Sequence, residues 1–334
     1  MDVISKFVLI TVSAGRGIQI ARSDESEWTI DTVLTNQDVR CIAVHPDDPT
    51  RWIAGTQGNG VFKTEDSGAS WTPAGLEGKI IKSVALSRDG IFAGTKPAGV
   101  FASSDGGGTW TESESFNRIP GRRLWWSPAE SPGTAYVQSL AISPSDPWVL
   151  MAGIELGAVV RSTDAGKTWS RHIKGSLRDC HSLKFHSCNG SWVYEAGGTG
   201  GGASVSQDGG ATWSKVKEGL DRHYGVACAA DPDRPDLWYV SVSPGPGKAH
   251  SIANAKAYIY RTEQGNPWDR MAEGLPQPLD SMPYGLATVS GRPGLVIAAL
   301  KNGQVWASED EGDSWDLLPI NWGPIGLGLA AIAM

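Results

Sequence analysis

The sequence predicts an all-β fold: a single seven-bladed β-propeller over residues 1–334, closed by pairing of the C-terminal strand with the N-terminal blade. Three observations predict it. A short phrase, Ser/Thr-x-Asp-x-Gly-x-Ser/Thr-Trp, recurs from one end of the chain to the other. Two runs of β-branched and aromatic residues, separated by a glycine turn, precede each copy, and another such run precedes each pair. A spare apolar run follows the last copy. Repeats at this spacing mean supersecondary units that cannot bury their own faces and must pack into an array.

The elements follow in order. Full or nearly full copies of the phrase occupy residues 64–71, 103–110, 162–169, 206–213 and 308–315, with worn copies at 23–28 and 262–268. Upstream, Trp52-Ile-Ala-Gly-Thr and Ile91-Phe-Ala-Gly-Thr each run through a turn into Gly-Val-Phe, which reads as two strands of a hairpin. The innermost strand of each blade is expected at 39–44, 81–86, 137–142, 180–185, 223–228 and 283–288, giving four strands per blade. The first blade has no innermost strand of its own. Residues 325–330 supply one, and this closure removes open sheet edges.

The phrase is the Asp-box, and the chain resembles the BNR/Asp-box β-propeller superfamily, which includes sialidases, xyloglucanases, sortilin-type receptors and photosystem II assembly factors. Its logic is local: glycine admits the left-handed turn, Asp and Ser/Thr bond turn amides, and Trp folds beneath the hairpin. The resemblance implies that these turns lie on the face opposite the binding site, so the box aspartates are structural. It does not extend to sialidase chemistry. Phe116-Asn-Arg-Ile-Pro120 carries an extra Asn and falls after the third unit, and no arginine triad is found.

Composition narrows the classes. A net charge of −7, without clustered Lys/Arg beyond Arg122-Arg123, argues against nucleic-acid binding. No apolar run reaches the roughly 18–20 residues of a membrane span, and residues 7–13 fill the place of a repeat strand, so a cytoplasmic protein is expected. Cys41, Cys180, Cys188 and Cys228 lack metal-site spacing and read as free thiols, with a Cys180–Cys188 bridge left open. The six histidines show no HxH or HExxH pattern, so neither metal nor cofactor is expected.

Candidate site residues come from aligning the inner strands. One register is small throughout: Cys41, Ser83, Ser139, Ser182, Gly225, Gly285, Gly326. The preceding one reads Arg40, Lys82, Gln138, His181, Tyr224, Tyr284, Ile325, and is expected at the mouth of the central channel. The turn after the second strand, on the same face, contributes Arg16, Gln57, Lys96, Glu155, Thr199 and Lys301. Glu155 is its one carboxylate, in the blade beside His181. His181, Glu155 and Tyr224 are therefore the candidate acid/base groups. Arg40, Lys82, Gln138 and Tyr284 are candidate substrate contacts. Trp125, Trp126 and Trp322, which the repeat does not require, are candidates for stacking on a ligand. A solvated channel without ligand, and an insertion that packs on its own tryptophans, are the bland readings of the same residues.

Two function classes remain. One is a small-molecule site of hydrolase or lyase type, acting on a polar ligand, carbohydrate-like or anionic, at the channel mouth. The other is a non-catalytic scaffold that grips a protein partner through its top-face loops.

Overall fold

A computed structural model describes residues 7–24, 27–198 and 201–333. The strands form seven antiparallel sheets, the blades of an all-β, seven-bladed propeller. By contact density the chain divides into two compact units, Val39–Val216 and Met1–Asp38 with Lys217–Met334. The first holds blades 2 to 5; the second holds blades 1, 6 and 7. No helix among the described residues is long and apolar enough to cross a membrane.

In the unit holding blade 1, Ala330–Ala333 pairs with Phe7–Val12 in the register Ile10↔Ala330 to Phe7↔Ala333, which is the expected closure. The closing strand lies further along the chain than residues 325–330. Ile325 makes only an isolated bridge to Ser13, and the Gly326 amide donates to the Val12 carbonyl at 2.9 Å. Gly328, at φ +103°, then kinks the chain out of the ladder before pairing resumes. The core of this unit gathers Leu9, Val226, Leu286, Ile297, Trp306 and Trp315.

In the other unit, second strands such as Leu150–Ile154 are buried at every residue, because neighbouring blades cover both faces. Inner strands lie where expected, including Val137–Ile142 and Cys180–Phe185. The small register is explained by contacts from blade to blade: Ser83 Oγ donates to the Val137 carbonyl at 2.7 Å, and Ser139 Oγ accepts from the Leu183 amide at 3.2 Å. Blade 4 has three strands instead of four. Beyond its edge strand Val159–Ser162, the Ser170 and Ile173 amides donate to the Arg161 and Val159 carbonyls at 2.8 and 3.1 Å, and side chains complete the pairing: Ser170 Oγ accepts from the Arg161 amide and His172 Nδ1 from the Val159 amide, at 2.9 and 3.2 Å.

The boxes are built as expected. In blade 2, Asp66 accepts from Thr64 Oγ1 (2.6 Å), the Ser70 amide (2.8 Å) and Ser70 Oγ (2.5 Å), and Trp71 Nε1 donates to the Gly68 carbonyl (3.1 Å). The Ser70 hydroxyl, then Thr64, hold the Asp66 carboxyl down at about 2, as fits a permanent acceptor. All four cysteines are free, so Cys180 and Cys188 are not bridged.

Candidate functional site

The inner strands share an irregularity that places the candidate residues. Pairing skips one residue between Val39 and Cys41, Ile81 and Ser83, Val137 and Ser139, and Cys180 and Ser182. The skipped residues are Arg40, Lys82, Gln138 and His181, four members of the polar register, all in the unit of blades 2 to 5. A bulge turns its extra residue out of the strand's normal alternation. Residues that strict alternation would commit to a blade face are thereby re-aimed.

His181 meets two carboxylates there. Its Nε2 lies 3.6 Å from Glu155 Oε2 and 3.7 Å from Asp179 Oδ1. Glu155 sits in the turn after Leu150–Ile154, where its backbone amide donates a hydrogen bond to the Tyr136 carbonyl at 3.0 Å. That turn is tight: Leu156 is left-handed at φ +46°, and a Cβ on Gly157 would come within 2.5 Å of Ile154 Cγ2 and 3.2 Å of Trp125 Cγ. Glu155 and Asp179 are 7% and 4% exposed. Burial, and secondarily the Asp179 charge, push the Glu155 carboxyl up to about 8, against the pull of Lys82. At neutrality Glu155 therefore carries a transferable proton beside an imidazole.

The cationic side of the cluster is tied down more firmly than its register suggests. Lys82 is 9% exposed, not solvated, and donates to Glu130 Oε1 at 2.6 Å. Lys96 Nζ reaches the Glu130 carbonyl at 3.0 Å and Oε2 at 3.4 Å, and both lysines flank the Tyr136 ring. Burial lowers the Lys82 pKa, and the charges of Arg40 and Lys96 add to that. Burial alone would raise Glu130, but the Lys82 bond and the two ammonium charges outweigh it and hold the carboxyl low. Lys96 belonged to the aligned turns. Glu130 was missed because it lies in the insertion between blades 3 and 4, where no repeat offers a register. Asp179 was legible only as a loop neighbour of His181.

Tyr224 and Tyr284 lie in the other unit, in blades 6 and 7. Tyr284 occupies a bulge, between Pro283 and Gly285, whereas Tyr224 is paired with Ser243 because the irregularity of blade 6 falls between Gly225 and Cys228. Their hydroxyls contact opposite nitrogens of His250, Tyr224 on Nε2 at 3.1 Å and Tyr284 on Nδ1 at 2.7 Å. Lys301 donates to the His250 carbonyl, which seats the 243–257 insertion.

The tryptophans separate. Trp322, in the segment just past the strand Asp316–Asn321, is 5% exposed and packs within the core of its unit, so its ring is not offered to a ligand. Trp125 is half-buried, edge-on to Phe116 at 5.9 Å. Trp126 is 58% exposed, beside Leu124 at 86%. A separate cavity of about 640 Å³ lies among Phe92, Val100, Glu112, Trp148, Ala165 and Lys167, at the Asp-box end of blades 3 and 4. It contains none of the cluster residues.

The BNR/Asp-box repeat family model matches residues 160–171. No curated protein matches the chain. Among solved structures the chain is similar to the GH74 xyloglucanase from Xanthomonas campestris, with a TM-score of 0.60 and 18% identity over 84% of this chain and 45% of that one. It is also similar to YCF48 from Cyanidioschyzon merolae, at TM-score 0.57 and 16% identity over 85% of each chain. YCF48 bound to D1 peptide gives TM-score 0.59 and 17% identity, over 84% and 81%. The chain thus spans about 45% of the xyloglucanase's length. At these identities the likeness is one of fold.

Proposed function

We propose that the protein is a hydrolase- or lyase-type enzyme acting on a polar ligand, carbohydrate-like or anionic, at the bulged ends of the inner strands of blades 2 to 5. The observation that carries this reading is the convergence of Glu155, Asp179 and His181 beside Arg40 and Lys82. His181 and Glu155 exchange the proton. Asp179 orients the imidazole and stabilises its charged form. Arg40 receives the anionic part of the ligand, while Lys82, held by Glu130, supplies a fixed positive field. The fold likeness to a xyloglucanase supports a carbohydrate-like substrate as the first class to screen.

A mass-spectrometric search for a small molecule that co-purifies with the protein, followed by a turnover assay, tests this. His181→Ala is expected to lower turnover by a factor on the order of 10² to 10⁴ with little change in affinity. Full turnover in that variant overturns the assignment.

A second reading, a scaffold for a protein partner, is favoured by one observation. Leu124 and Trp126 present exposed apolar side chains on the insertion that also carries Glu130. Leu124→Ser is expected to weaken partner capture while leaving small-molecule turnover intact.

A further inference from the structure

We propose that Glu155, Asp179 and His181 form a binding site for a divalent transition-metal ion of the zinc class, and that the ion regulates the site by occupying the lone pairs that proton transfer uses. The metal site stands on geometry alone; its regulatory consequence rests on the acid/base reading above. One donor atom from each residue, an imidazole nitrogen and two carboxylate oxygens, lies within 4.8 Å of the others. The Nε2–O separations of 3.6 and 3.7 Å are too long for good hydrogen bonds. They suit an ion between the atoms: a centre about 2.1 Å from both members of such a pair subtends an angle of about 120°, close to what zinc accepts.

Three further features point the same way. The donor set, one imidazole and two carboxylates, is a borderline set that zinc and its neighbours take readily, and three protein ligands leave a position for water or substrate. A bound dication would take the place of the Glu155 proton and offset the cost of holding both carboxylates charged in a poorly solvated place. The nearest ammonium groups do not compete strongly, because Lys82 and Lys96 both terminate on Glu130. The donors also come from rigid elements: Glu155 from a tight turn, His181 from a strand bulge, and Asp179 from the residue just ahead of that strand. Asp179 and His181 stand two residues apart, but the third ligand, Glu155, comes from the neighbouring blade, so no single sequence motif marks the site.

Titration of the full-length, metal-stripped protein with Co²⁺ tests the proposal without any substrate. The expected result is one equivalent bound with visible d–d absorption, displaced by Zn²⁺. That absorption should be lost in His181→Ala and in the isosteric Asp179→Asn, with far-UV dichroism and melting unchanged in the latter. Absence of d–d absorption in the wild type, or absorption that persists in both variants, overturns the metal site. Once a substrate is known, Zn²⁺ is expected to inhibit turnover at the concentrations at which it binds. Binding without inhibition would refute the regulatory role, whereas full turnover in His181→Ala would refute the acid/base reading and leave the metal site standing.

Discussion

At the scale of single residues, what decides a role is which atom a side chain finds. His172 shows this away from the candidate site. Its Nδ1 accepts from the Val159 amide beside the edge strand of blade 4, so the ring must stay neutral there. Burial, with the charges of Arg178 and Lys215, pushes it down to about 4. The unfolded chain binds that proton near pH 6.5, the folded chain only near 4. The stability His172 contributes is therefore fully present above about pH 6.5 and is lost as pH falls toward 4. Urea midpoints are expected to decline over that window, and His172→Asn, which keeps an acceptor but cannot titrate, is expected to flatten the decline. An unchanged slope would separate His172 from it. The box aspartates were fully legible because Asp66 and its equivalents draw every partner from the same phrase. The pairing of Lys82 with Glu130 was not, since the register marked Lys82 as a candidate substrate contact and only the insertion brings it a carboxylate.

At the scale of elements, repetition made the strands readable and also marks where reading stops. Inner strands such as Cys180–Phe185 were placed to the residue because a small side chain, a β-branched run and a box recur in order. The register that aligns Arg40, Lys82, Gln138 and His181 reflects a bulge, which the alignment alone does not reveal. In blade 6 the same alignment gave Tyr224, but there the irregularity falls between Gly225 and Cys228, which returns Tyr224 to a regular pair. The closing strand was displaced for a similar reason. Gly326 and Gly328 read as part of the run, whereas Gly328 breaks the ladder and the pairing is made by Ala330–Ala333. Removing those residues exposes the edge of Phe7–Val12. Loss of cooperative melting and of solubility is expected, and a truncated chain that melts like the full-length protein would contradict the closure.

At the scale of the whole molecule, a regular scaffold supplies positions and its irregularities supply chemistry. The repeat sets seven blades, while bulges, one tight turn and one insertion bring Arg40, Lys82, Glu130, Glu155, Asp179 and His181 into one cluster. None of these groups belongs to an Asp-box. The account therefore places function in what departs from the repeat, and ligand binding tests that claim without knowledge of the reaction. The measurement is a thermal-shift screen of the wild type and of His181→Ala against neutral sugars, uronates and small organic phosphates. A ligand present at roughly 100 times its Kd stabilises by about 2.7 kcal/mol, enough to raise Tm by several degrees. The account expects a polar ligand that raises the melting temperature of the wild type and loses most of that effect in the variant; an equal rise in both proteins would place the ligand elsewhere and contradict it.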